Sequence, residues 1–234
     1  MQELHSLVRQ ARDAMAERLA ALNAAGGMSE DQYVRYLSMQ YHLTKDVQRV
    51  FMIAASHPDF SSRRALRDYL FRIGIEEEPH FRIAEEDVQG LGRSLVEMPL
   101  DLRLWHAHFN ALIHDRPLVR IGAHCVLENI VVGLEEKVMG LLSQAPFVTR
   151  QTSRFVVLHT HADAPHGQDI FRVLEAAKLD ARHLADLVEG ARDGGTMFLR
   201  LIDWSVSGCA LGSPAGRGEA EAPPASAPLA VANA

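Results

Sequence analysis

The chain has 234 residues, 47% hydrophobic and 23% charged, with a formal net charge of −6. That length suits one large domain or two small ones with an ample core, and the negative balance argues against a general nucleic-acid binder. The two cysteines, Cys125 and Cys209, show neither a disulfide framework nor ligand spacing. No leader peptide is legible, and no apolar run approaches the roughly 18 residues a membrane span needs. The cytoplasm is the expected compartment.

Leu4, Leu7, Val8, Ala11, Met15, Leu19 and Leu22 recur at helical spacing and predict a first helix closing at Ala25-Gly26-Gly27. Ser29 followed by Gln32 reads as a capping box. It opens a second helix with Tyr33, Leu37, Gln40, Tyr41, Thr44, Gln48 and Phe51 on one face, ended by His57-Pro58-Asp59. Ser61 or Ser62 is expected to cap a third helix, through Arg64 and Phe71 towards Asp87, with Pro79 kinking it. Gly90-Leu91-Gly92 breaks the pattern. A shorter fourth helix follows Pro99, through Trp105 and Phe109, to about His114-Asp115. Pro117 opens a fifth, carrying Leu118, Ile121, Ala123, Cys125, Leu127, Ile130, Val131 and Leu134 to about Leu142.

A sixth helix begins at Phe147 or Val148. The β-branched Val156 and Val157 would allow a short strand, but helix is expected, continuing through Ile170, Phe171, Leu174 and Ala177. The last holds Leu179, Leu184, Leu187 and Val188, with Gly194-Gly195 an expected interruption before Phe198, Leu201, Ile202 and Trp204. Residues 207–234 turn to Gly, Ser, Pro and Ala and are expected to be a disordered tail. Residues 1–206 are therefore expected to form one all-α bundle of seven helices.

The chemistry concentrates in Leu158-His159-Thr160-His161-Ala162-Asp163-Ala164-Pro165-His166. His159, Asp163 and His166 are spaced i, i+4, i+7, which stacks them on one helix face, while His161 points elsewhere. Two imidazoles and a carboxylate so placed form most of a metal's coordination sphere. Ile75-Glu76-Glu77-Glu78-Pro79-His80 supplies Glu77 and His80 at i, i+3; Glu76, at i, i+4 from His80, competes with Glu77. Glu128 lies among the apolar Val126, Leu127, Ile130 and Val131. A carboxylate there is costly unless paired or bound to a cation. His124, one turn earlier, would orient Glu128 or fill the core. The expected metal ligands are Glu77, His80, Glu128, His159, Asp163 and His166: three imidazoles and three carboxylates, a mixture that suits iron or manganese.

In this order the six residues resemble the haem-oxygenase-like diiron oxidases and oxygenases, whose pattern is a Glu and a His on one helix, a Glu on a later one, then His-x3-Asp-x2-His. The resemblance covers roughly residues 1–206. It implies a seven-helix haem-oxygenase-like fold, two Fe(II)/Fe(III) ions with O2 as co-substrate, and manganese as an alternative metal. Glu128 would bridge or cap the irons, with Glu77 and His80 beside one of them and His159, Asp163 and His166 completing the pair. It also implies that the last ligand helix is labile, in keeping with Pro165 and Gly167. The reactions implied are oxidative decarboxylation, C–C cleavage or N-oxygenation of a small acid or amino acid. A small-molecule substrate, an external electron donor and a homodimer are the partners expected, with neither nucleic acid nor membrane.

Arg49, Arg120 and Arg154 are candidates for a clamp on a substrate carboxylate. Tyr33, Tyr36, Tyr41 and Lys137 bring into view the chlamydial p-aminobenzoate-forming branch, which consumes its own tyrosine. The same fold hosts metal-free thiaminase-like hydrolases and quinone-cofactor synthases, and for a hydrolase Cys125 beside Glu128 would be the nucleophile. A helical interaction protein without chemistry is the third reading. A haem oxygenase would need a proximal histidine in the first helix, where His5 is a poor candidate.

Overall fold

The computed structural model describes residues 1–213, and among them every side chain except those of 161–165. Its helices are α1 (Gln2–Ala24), α2 (Glu30–Thr44), α3 (Val47–Ala55), α4 (Arg64–Glu77), α5 (His80–Gly90), α6 (Leu100–Leu112), α7 (Pro117–Leu127), α8 (Glu135–Ser143), α9 (Arg154–Ala176) and α10 (Ala181–Ser207), with a 3-10 turn at Pro58–Phe60. No strand occurs among the described residues, so Val156 and Val157 are helical. No helix among them is long and apolar enough to cross a membrane.

The seven expected runs account for all ten α-helices of the described residues, because three runs are each broken in two. The second breaks at Lys45-Asp46. The third breaks at Glu78-Pro79, where proline offers no N–H to continue the ladder. The fifth stops at Leu127 rather than Leu142. There the Asn129 side-chain amide donates to the Cys125 carbonyl at 2.9 Å, satisfying a C-terminal acceptor that the next turn of helix would otherwise occupy. Of the expected caps, Ser29 and Gln32 form a complete capping box, whereas neither Ser61 nor Ser62 caps α4, whose N-cap is Arg63.

Gly194-Gly195 does not interrupt the last helix; α10 is continuous. These glycines serve packing instead. A methyl group on Gly190 would overlap the Val119 carbonyl oxygen, one on Gly122 would overlap that of Leu187, and one on Gly194 would run into Ala123. Helices α7 and α10 therefore meet backbone to backbone, an approach only residues without a Cβ permit. Arg116, just before α7, fixes the register with ion pairs to Asp186 at 2.7 Å and Glu189 at 2.6 Å on α10.

Helix α9 is held at its start. The fully buried Asp87 of α5 accepts from the Phe155 N–H at 2.8 Å and from Arg154 Nε at 3.1 Å. Tyr33 of α2 donates to the Thr152 carbonyl at 2.7 Å. A buried carboxylate on the first amides of α9 is favourable because unpaired N–H groups and positive dipole charge lie there. Beyond α10, the Leu211 N–H donates to Asp101 at 2.7 Å and Arg200 donates to the Cys209 carbonyl at 2.7 Å. The rest of the expected tail, residues 214–234, lies outside the described residues.

Candidate metal centre

Three breaks or helix faces converge on one interior space. Glu77 ends α4, His80 begins α5, Glu128 caps the end of α7, and His159 and His166 lie two turns apart on α9. Glu77, His80, Glu128 and His166 are each at most 8% exposed. They form two triads with a shared member: Glu77 with His80 and His159, and Glu77 with Glu128 and His166. Within each triad the donor atoms lie within 4.8 Å of one another. Two buried carboxylate–imidazole triads that could hold metal ions are thus present. Asp163, the sixth expected ligand, has its side chain outside the described residues, as does His161.

The contacts are close but poorly made. His80 Nδ1 lies 2.6 Å from Glu77 Oε2, and His166 Nδ1 lies 3.3 Å from Glu128 Oε2 and 3.8 Å from Glu77 Oε1. Yet His80 Nδ1, Glu128 Oε2 and His166 Nδ1 are all buried without a hydrogen-bond partner among the described residues. Buried polar atoms are normally paired, and leaving one unpaired costs about 1–3 kcal/mol. Donor atoms gathered within 4.8 Å of one another, three of them without a hydrogen bond, are what a cation between them would satisfy, so the donor set fits a metal.

The remaining ring nitrogens are oriented from outside. His159 Nδ1 donates to the Phe155 carbonyl at 2.9 Å, which leaves Nε2 facing Glu77 at 4.0 Å. His166 Nε2 meets Glu76 Oε1 at 3.0 Å, which leaves Nδ1 facing the cluster. This separates Glu76 from Glu77. Glu77 is inside and belongs to both triads, whereas the exposed Glu76 holds the outer nitrogen of His166, a carboxylate–imidazole arrangement that commonly orients metal-ligating histidines. His124 Nδ1 touches Glu128 Oε1 at 3.3 Å, as expected of an orienting residue.

Electrostatics follow burial. Burial pushes the Glu128 carboxyl up and holds His159 below, and His124 well below, their usual ranges. The Glu128 carboxylate, helped by Glu76, pushes His166 up to about 9. The carboxylates that raise His166 make a negative field of the kind that also attracts a cation. Tyr69 was not singled out in the sequence. Its hydroxyl lies 3.5 Å from His124 Nε2, and its position eight residues before Glu77 on the face of α4 was the available signal.

A cavity of about 150 Å³ opens beside the cluster, with Glu77, His124, Glu128 and His159 in its wall. Most of the wall is aliphatic, supplied by α1, α2, α7, α8 and α10. Of the three arginines considered for a clamp, Arg120 lines this cavity and is 4% exposed. Arg154 is paired with Asp87 and Glu86, and Arg49 is exposed, beside a separate shallow pocket. Tyr33 and Tyr36 line the cavity, whereas Lys137 is exposed on α8 away from its wall. Cys125 is fully buried off the wall, and burial pushes its thiol up, opposite to what a nucleophile needs. His5 stacks on Phe171 at 4.2 Å and pairs with Glu175, away from the cavity.

Solved structures place this architecture. The chain is similar to a domain of unknown function with a haem-oxygenase-like fold from Shewanella denitrificans, with a TM-score of 0.75 at 17% identity, over 87% of this chain and 90% of that one. It is also similar to a CADD-like protein of unknown function from Nostoc punctiforme, with a TM-score of 0.64 at 12% identity, over 88% of this chain and 100% of that one. The fold is haem-oxygenase-like and all-α, as the resemblance implied. No family model matches the chain. No curated protein matches it either.

Proposed function

We propose that the chain is a non-haem diiron, O2-dependent oxidase or oxygenase acting on a small acid or amino-acid-like substrate. The observation that carries this is the pair of buried triads joined through Glu77, with three donor atoms left unpaired among the described residues. Glu77 would serve both ions, His80 and His159 would hold one, and Glu128 and His166 would hold the other, with Asp163 expected to complete the set. Two irons so held would supply the redox chemistry with dioxygen.

The protein's own part is placement and exclusion. Phe155 and Glu76 fix the two α9 imidazoles in their ligating tautomers. The aliphatic wall keeps bulk water from the reacting centre and shapes where substrate lies. Where the substrate supplies fewer electrons than dioxygen takes up, an external donor provides the rest. Mixed nitrogen and oxygen donors also accept manganese.

Anaerobic reconstitution with Fe(II) tests the reading. We expect about two irons per chain, as in carboxylate-bridged bundles, and loss of most of that iron in Glu128→Ala and in His166→Ala. Unchanged iron in both variants would overturn it.

A further inference from the structure

The metal reading leaves one charged residue of α7 without a task. Arg120 is buried one turn before His124 and two before Glu128, at spacings that put all three on one side of the helix. Three rings clamp its guanidinium, which lies 5.9 Å from the Phe51 ring centroid, 5.6 Å from Trp105 and 5.7 Å from Phe109. Phe51 also meets the His124 ring edge to face at 4.7 Å, so one ring touches both residues. Nη1 of Arg120 is buried without a hydrogen-bond partner among the described residues. The rings hold the guanidinium in place, and among the described residues no carboxylate closes on it as an ion pair.

Its charge reaches the cluster all the same. Burial pushes Arg120 down to about 10, and the Glu128 carboxylate opposes that push. The guanidinium is therefore charged at neutral pH. After burial, Arg120 is the next cause holding His124 well below its usual range. Eight residues of helix separate Arg120 from Glu128, ~12 Å along the axis. At that distance and an effective dielectric of about 20, a unit charge changes the binding of an ion by about tenfold for each unit of charge the ion carries.

We propose that Arg120 is a fixed repelling charge that loosens the Glu77–Glu128 centre's hold on every metal ion and thereby selects the lower oxidation state. The inference rests on that centre holding metal, as in the diiron reading. Glu77 and Glu128 attract a trivalent ion more than a divalent one, and Arg120 offsets part of that preference. Oxidation of a bound iron from Fe(II) to Fe(III) adds one positive charge near a cation that cannot retreat. Three rings hold it, and burial keeps salt and water from screening it. The reduced centre is favoured, so a donor returns electrons to it more readily. An arginine that only filled space would discriminate between neither ions nor oxidation states.

Anaerobic calorimetric titration of metal-free protein with Mn(II) is the test. Arg120→Met and Arg120→Gln differ in shape and polarity and share only the lost charge. Each should bind Mn(II) about 100-fold more tightly than the wild type, tenfold for each charge on the ion. Loaded with iron, each should show a midpoint potential about 59 mV lower, the tenfold effect of one added charge. Replacing a merely structural arginine would leave Mn(II) binding unchanged or weaken it. Either result, in a variant whose circular dichroism matches the wild type, overturns the proposal, and so does an unchanged or raised potential. The two variants are read separately, so if one does not fold the other decides. Metal uptake by the wild type without tightening in the variants removes this role of Arg120 and keeps the diiron reading. No uptake of Mn(II) or Fe(II) by any of the three proteins removes both.

Discussion

Helix α7 turns one side to α10 and the other to the Glu/His cluster, and the two sides are built differently. Towards α10, Gly122 meets Leu187 while Gly190 and Gly194 meet Val119 and Ala123, so main chain packs on main chain with no space between. Towards the cluster, the same helix carries Arg120, His124 and Glu128, all buried. Seven buried side-chain atoms lack a hydrogen-bond partner among the described residues, and four of them lie on this side: His80 Nδ1, Arg120 Nη1, Glu128 Oε2 and His166 Nδ1. The concentration is informative, because unpaired buried polar atoms are selected against unless something binds them. One side of α7 stabilises the fold; the other is held by it in an arrangement that costs stability and that a bound cation would relieve.

The contrast can be broken most severely on the packed side. Gly190→Ala sets a methyl group against a carbonyl oxygen that no rotamer change can move. We expect a loss of about 3 kcal/mol, read as a fall in Tm of roughly 6–12 °C for a chain of this size. An unchanged Tm would show that the helices separate freely there.

The polar side should respond in the opposite sense, to ligand rather than to bulk. Anaerobic Fe(II) at about 100 times its Kd should stabilise the protein by about 2.7 kcal/mol, a rise of roughly 5–10 °C in Tm. Glu77→Gln, which alters the residue common to both triads, should abolish the rise while changing the metal-free Tm little. An equal rise in the variant would place the iron elsewhere. The smallest effect belongs to a position on neither side. Ser29→Ala removes the capping box of α2 at about 1 kcal/mol, with iron uptake unchanged; altered uptake would mean the start of α2 is coupled to the cluster.

Much of this was legible from spacing. The runs of apolar residues marked where helices lie, and His159 and His166 share an inward face of α9 as their i, i+7 separation requires. The breaks were not legible, because they depend on partners remote in the chain or on side chains with several options. Asn129 ends α7 by reaching back to Cys125, and the same residue type elsewhere would simply face solvent. Glu76 and Glu77 were indistinguishable by pattern; only the ending of α4 at Glu77 sends one inward and leaves the other at the surface. Gly194-Gly195 read as a breaker because a glycine that ends a helix and one that admits a neighbour look alike in sequence. Arg120 was one arginine among three until the cavity, assembled from helices remote in the chain, showed it to be the buried one, with Nη1 unpaired among the described residues.

The glycine seam has an evolutionary consequence. Enlarging any one of Gly122, Gly190 and Gly194 would shift the spacing that the other two require, so changes among them will not add independently. A lineage descending from this chain can recolour the lining around Leu43, Val47 or Ile202 one substitution at a time and so drift towards new ligands. It cannot renegotiate the seam in single steps, and the pose of α7, with Arg120, His124 and Glu128 on it, is inherited nearly fixed while the chemistry around it diversifies.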